Sequence, residues 1–376
     1  MHVLIIGGGV IGLMSALELS HAGCQVTLLD QQDFGQAASW AGGGILSTMY
    51  PWRYRPAVNA LARHGKALYQ QWQPVLGEAT GMDIEIHHSG MLILDQQDVN
   101  IGLGWAQHDH DSQQQAQLLH SPALLQLCPQ LNHTTEQGLW FEQLANIRNP
   151  RLLKTLIHYL QAQPNVRLLS HRKIKYLAQQ NGKILAVVDE QQERWQADAY
   201  VIASGAWSGL LSEQLGWQLP VRPIQGQMIL FKTPANWLGQ MVMYKGTYLI
   251  PRLDGYIVCG SSMLDTGFNT DVNPQIGQQL KQAALEMLPA LQDMPVVKAW
   301  AGLRPASPLG IPFIGQAPKL DNLWLNTGHF RNGLVMAPVA ARMLREQLLE
   351  QPLSIDDTAY RPDRLLSVHD TTAVNS

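Results

Sequence analysis

The segment His2-Val-Leu-Ile-Ile-Gly-Gly-Gly-Val-Ile-Gly12 sets the fold: a run with buried-strand character meets a glycine turn, and Val10 opens a helix that continues to Ala22. Gln25-Val-Thr-Leu-Leu29 reads as a second strand, which completes a βαβ unit. Gly7, Gly9 and Gly12 form G-x-G-x-x-G directly after a strand and at the start of a helix, the context that gives the pattern its meaning. Gly7 permits the tight turn, Gly9 lets the backbone approach a pyrophosphate, and Gly12 allows helix to pack closely on strand, while the helix N-terminus attracts negative charge. Asp30 ends the second strand, where its carboxylate can accept hydrogen bonds from the hydroxyls of an adenosine ribose. These residues specify a dinucleotide and leave FAD and NAD open.

At 376 residues the chain is longer than one core usually organises, so two domains are expected. A charged fraction of 15% and a net charge of −3 provide no basic field for nucleic acid or an acidic membrane. Cys24, Cys128 and Cys259 are scattered and odd in number, which predicts neither a disulfide framework nor a zinc site and suits a cytoplasmic protein. The apolar opening segment has no Lys or Arg before it and carries glycines, unlike a signal peptide, and no stretch is long enough for a membrane helix. His108-Asp-His-Asp has a metal-like composition in a polar, Gln-rich segment; we expect it to be solvated and predict no metal site. His87 and His88 read as a strand end, and the cysteines as inert.

Further along, Pro56 to Trp72 has helical periodicity through Val58, Leu61, Leu68 and Trp72, and Ile84 to Leu94 reads as a strand. A helix from Asn149 precedes the strands Val166 to Leu169, Ile184 to Asp189 and Ala199 to Ala203. Pro220 to Lys232, Thr247 to Pro251 and Tyr256 to Gly260 alternate as antiparallel strands do, and Gln275 to Leu288 follows as a helix. The chain closes with the strand Leu323 to Asn326, a glycine loop and a helix spanning Gly333 to Glu350. Because Pro338 belongs in a first helical turn, the ordered part of that helix should begin near it and aim its positive end at the preceding glycines.

Three further segments carry a family resemblance. They are the small-residue loop Gly35-Gln-Ala-Ala-Ser-Trp-Ala-Gly-Gly-Gly-Ile-Leu46, the strand-to-glycine run Ala197-Asp-Ala-Tyr-Val-Ile-Ala-Ser-Gly205, and Trp300-Ala-Gly-Leu-Arg-Pro305 followed by Thr327-Gly-His-Phe-Arg-Asn-Gly333. With them the chain resembles the D-amino-acid oxidase family of FAD-dependent flavoproteins from residue 2 to about residue 350, and most of all its glycine oxidase branch associated with thiamine biosynthesis. The resemblance implies an α/β fold: a Rossmann-like, glutathione-reductase-like FAD-binding domain from 1–80, 149–215 and 300–376, with an inserted, mostly antiparallel β substrate domain from 81–148 and 216–299. It places Val10, Ile11, Asp30, Gln31, Ala38, Ser39, Gly43, Gly44 and Ile45 at the FAD, together with the glycine turn. It also puts Gly205 on the returning strand, the backbone of Ile174 at the adenine, and the loop His329, Phe330, Arg331, Asn332, Gly333, Leu334 and Val335 near the isoalloxazine.

The same resemblance implies a small amino acid as substrate and hydride transfer from its α-carbon to the flavin. A substrate carboxylate entering a dry pocket needs a fixed guanidinium. Arg304 is the expected anchor, with Tyr248 donating a phenol hydrogen bond to the same group and Arg331 close by. If the amine binds deprotonated its lone pair assists hydride departure, so no side-chain base is nominated. Oxygen is the expected acceptor, giving hydrogen peroxide; a dehydrogenase feeding a quinone or carrier fits the same motifs, and homo-oligomerisation stays open. One departure stands out: Gly246 occupies the position where some glycine oxidases carry a histidine, two residues before the tyrosine. Met263, beside Ser261 and Ser262, reads as pocket lining or as core.

Overall fold

The computed structural model describes residues 1–108 and 115–365, so all of His108-Asp-His-Asp except His108 lies outside the described residues. The elements that position the site are β1 (His2–Ile6), α1 (Val10–His21), β2 (Gln25–Leu29), α2 (Pro56–Thr80), β3 (Arg222–Lys232), β4 (Thr247–Pro251), β5 (Tyr256–Gly260), β6 (Val296–Ala306) and α3 (Gly333–Leu348).

A six-stranded sheet holds, in order, Phe313–Gln316, Leu323–Thr327, Ala199–Ile202, β1, β2 and Val166–Leu169. All its pairings are parallel except the one between Phe313–Gln316 and Leu323–Thr327. Successive residues of a strand face opposite sides, and β1 uses both. Val3 and Ile5 pack with α1 and α3, whereas Leu4 and Ile6 join a second apolar cluster with Leu177, Ile184 and Val187 of a small three-stranded sheet. Burial on both faces explains the unbroken apolar run in the sequence.

The second sheet has eight strands in the order β6, β3, β5, β4, Met241–Tyr244, Met91–Ile93, Gln137–Phe141 and Gln117–His120. It is antiparallel apart from the pairing of Met241–Tyr244 with Met91–Ile93. The molecule is therefore α/β, with a mixed sheet beside a separate, mostly antiparallel one. Among the described residues no helix is long and apolar enough to cross a membrane. Cys24, Cys128 and Cys259 are buried and unpaired.

Two expectations need correction. Ile84 to Leu94 is not one strand: Ile86–His87 pairs with Asn146–Ile147, and Met91–Ile93 belongs to the large sheet. The break falls at Gly90, whose φ of +61° favours glycine and where a Cβ would sit 1.9 Å from the Trp140 ring. The second concerns Pro338, which lies inside α3 instead of near its start. Proline at that position leaves the carbonyl of Leu334, four residues earlier, without its helical donor. The buried Tyr69 hydroxyl donates to that carbonyl at 2.7 Å, so α2 supplies the bond that the proline withholds. Gly65 lets the two helices approach this closely, since a Cβ there would lie 1.8 Å from the Val335 oxygen.

Candidate active site

The glycine turn works as its spacing implies. Gly7 has φ +111°, and a Cβ on it would come within 2.5 Å of the Ala203 carbonyl. A Cβ at Gly12 would lie 1.8 Å from the oxygen of Gly7, so this glycine serves helix packing. Gly9 caps α1 with no side-chain hydrogen bond, and the Val10 amide donates to Ser39 Oγ at 2.8 Å. The remaining amides of the first turn are the ones a pyrophosphate needs. Asp30 accepts from the amides of Gly8 at 2.6 Å and Gln32 at 2.9 Å, which fixes its carboxylate at the strand end. Burial pushes the Asp30 carboxyl above its usual range, and these backbone donors oppose that shift.

The small-residue loop is gripped from outside by its carbonyls. Asn149 Nδ2 donates to Ser39 O at 2.9 Å, Trp300 Nε1 to Ala41 O at 3.0 Å, Arg252 Nη2 to Gly43 O at 2.8 Å and the Ile147 amide to Gly44 O at 2.8 Å. Arg252 is buried, and its other guanidinium nitrogen donates to Asn146 Oδ1 at 2.6 Å and Ile147 O at 3.0 Å. All its acceptors are neutral, and burial brings its pKa down to about 10.

The loop before α3 closes the other side. Gly328 and Phe330 have φ values of +80° and +46°, and the helix starts at Gly333 with no side-chain cap. His329 is 1% exposed, neither ring nitrogen has a hydrogen-bond partner among the described residues, and burial lowers its pKa to about 3, so the ring is neutral. The N-termini of α1 and α3 open onto the same cleft of roughly 350 Å³.

That cleft brings together nearly every residue singled out from the sequence. Gly7, Gly9, Val10, Ile11, Asp30, Gln31, Ala38, Ser39, Gly43, Gly44, Ile45, Ile174, Gly205 and the whole loop from His329 to Val335 line it. Gly12 stands outside the lining, behind the turn. Tyr248 and Arg304 line the same space, and so does Arg331. Arg304 Nη2 donates to Ser261 Oγ at 2.7 Å and Nη1 to Ser262 O at 3.2 Å. Burial lowers the pKa of this guanidinium, and the charge on Arg331 acts in the same direction, whereas Tyr248 opposes it. Among the described residues neither arginine forms an ion pair, and Asp30 is the only carboxylate of the lining.

Two readings from the sequence end differently. Gly246 is absent from the lining; with Lys245 it forms the turn into β4, at φ values of +48° and +76°. Its amide donates to Tyr50 Oη at 3.1 Å, and Tyr50 Oη in turn donates to Asp95 at 2.7 Å. Met263 is neither core nor lining: it is 57% exposed, between Ser262 and Leu264, whose backbones bond to β3 at Gln227 and Gln225. Sequence reasoning assigned no role to Asn149, Arg252, Trp300 or Gly226. A strand glycine with no turn beside it was the available signal for Gly226. Arg252 gave no signal, since its acceptors come from distant loops.

The cleft fits FAD: two helix N-termini, a carboxylate at the far end and a loop held by its carbonyls match a dinucleotide that carries a flat ring system. Residues 2–347 match the DAO family model, described as FAD dependent oxidoreductase. Glycine oxidase from Pseudomonas putida is 42% identical over 96% of this chain and 98% of its own length. A bifunctional protein ThiO/ThiG from Nostoc is 32% identical over 93% of the chain and 53% of its own length. The crystal structure of glycine oxidase from Geobacillus kaustophilus superposes with a TM-score of 0.90 at 23% identity, covering 99% of both chains, which establishes the fold. On these grounds the chain is an enzyme of the D-amino-acid oxidase family, the FAD-dependent oxidoreductases.

Proposed function

We propose that the enzyme oxidises the α-carbon of glycine, and of sarcosine or small D-amino acids, to an imine that hydrolyses to a 2-oxo acid and ammonia, or methylamine in the case of sarcosine. The observation that carries this reading is the pair Arg304 and Arg331, which line the FAD cleft beside Tyr248 without a carboxylate partner among the described residues. Two guanidiniums without counter-ions favour an anionic ligand. A carboxylate bound to Arg304 in bidentate fashion, with the Tyr248 hydroxyl donating to it, would present the neighbouring α-carbon to the ring.

FAD, held by the α1 turn, Asp30, the 38–45 loop and the loop before α3, supplies the two-electron acceptor. The protein contributes orientation and exclusion of water. Neither Asp30 nor His329 is suited to take the α-proton as a base: Asp30 is fixed by backbone amides at the end of β2, and the enclosed His329 ring, its pKa lowered to about 3 by burial, is too weak a base. We therefore have the amine bind unprotonated. Dioxygen is the proposed final acceptor, with hydrogen peroxide as product, and supply of a thiamine thiazole precursor in the cytoplasm is the proposed setting.

Anaerobic titration of the yellow enzyme tests the reading. Glycine should bleach the flavin band; failure of glycine, sarcosine and small D-amino acids alike would reject it. Oxygen uptake compared with dye reduction then distinguishes an oxidase from a dehydrogenase that feeds a quinone or carrier.

A further inference from the structure

Gly226 lies in the interior of β3, opposite Gly302 of β6, while Arg304 stands opposite Ile224. Arg304 and Gly302 are two residues apart and share a face, so Gly226 is the diagonal cross-strand neighbour of Arg304. The guanidinium occupies that diagonal. A Cβ on Gly226 would lie 2.0 Å from Nη1, 2.1 Å from Nη2 and 2.2 Å from Cζ of Arg304. Those are the three nearest atoms it would meet, and the φ of Gly226 is outside the left-handed region. Backbone conformation does not call for glycine here, and the closest obstacle to a side chain is the Arg304 guanidinium. A strand interior gives up packing and conformational order for a glycine, and close approach of another group is the usual reason.

We infer that Gly226 and Ser261 form a seat that lays the Arg304 guanidinium flat on the sheet, and that this seat sets the enzyme's affinity for the substrate carboxylate. The proposal rests on the reading of Arg304 as the carboxylate anchor. Ser261 Oγ and Ser262 O hold two of the guanidinium nitrogens from the side. Ser262 is fixed in turn, its hydroxyl accepting from the Gln227 amide at 2.9 Å next to the bare floor. Without the floor, an arginine on β6 would be lifted away from β3 by any side chain beneath it. Gly226 and Ser261 are thus positioning residues that act through Arg304. The displaced atoms are the far end of a flexible side chain, so an added methyl should move the guanidinium and leave the sheet intact.

The test uses the FAD-loaded enzyme and acetate as a carboxylate without an amine, with binding read from the perturbed flavin absorption. In Gly226→Ala, FAD content and thermal midpoint should match wild type, while the KM for glycine and the Kd for acetate rise on the order of 10- to 100-fold, as misplaced binding groups do. In an Arg304→Lys background the same substitution should add nothing, because the compact ammonium does not need the floor. Ser261→Ala should shift both constants the same way by a smaller factor, and it decides the matter should Gly226→Ala fail to fold. Unchanged constants in Gly226→Ala and Ser261→Ala, or an equal loss in the Arg304→Lys background, overturn the seat. Full acetate affinity in Arg304→Met would instead overturn the anchor on which the seat depends.

Discussion

The cleft has two ends built on opposite plans. At the α1 end, contacts are made by backbone: Gly7 turns, Gly9 stays bare, and Asp30 is fixed by the amides of Gly8 and Gln32. At the β6 end, contacts are made by side chains from separate strands, Arg304 on β6 lying across β3 and held by residues that follow β5. The backbone site tolerates variation in most neighbouring side chains, because a helix N-terminus offers its amides whatever residues surround it. The side-chain site depends on a buried charge placed by a few contacts, so a single substitution can empty it. The first plan suits a cofactor that stays, and the second a ligand that must be selected.

The largest expected effect separates the two ends. Arg304→Met should lower kcat/KM for glycine by about 2 to 5 kcal/mol, the usual loss on truncating one partner of a desolvated charge pair. FAD content should be unchanged, and co-purification of less FAD would show that the ends are not independent. Arg252→Met does the reverse. It leaves the carbonyls of Gly43 and Ile147 without their charged donor, a loss of about 1.5 to 3 kcal/mol, and should appear as a weaker Kd for FAD in fluorescence titration.

A pH dependence sharpens the picture of the loop before α3. The folded pKa of His329 is depressed to about 3 by burial, so the unfolded chain takes up a proton near the ordinary histidine pKa while the folded one does not. Its contribution to stability is complete above the unfolded value and is lost as pH falls toward 3, at up to about 1.4 kcal/mol per pH unit. Denaturant melts of His329→Asn and wild type between neutral and acid pH should show a shallower acid limb in the variant; parallel limbs would contradict the buried, neutral assignment. The smallest effect is expected for Tyr69→Phe. It strands the Leu334 carbonyl beneath Pro338 and should cost about 1 kcal/mol in urea unfolding, with glycine turnover retained.

The dinucleotide end was legible in the chain because its requirements are local. Successive positions in one turn must lack a Cβ, and an acid must close the next strand, so the spacing of Gly7, Gly9, Gly12 and Asp30 already encodes the geometry. The final helix was legible in extent but misread at Pro338, because the compensating donor sits on α2. Gly246 drew attention only through the resemblance, and the structure gives it to a hairpin turn.

What the sequence alone determined is the βαβ unit with its phosphate-binding turn, since close approach of backbone to backbone is written in residues next to one another. The tertiary structure alone decided the pose of Arg304, the bare floor at Gly226 and the grip of Arg252 on the 38–45 loop. Each of these is a contact between strands or loops far apart in the chain, and a side chain's direction across a sheet depends on strand order and register, which no local pattern specifies.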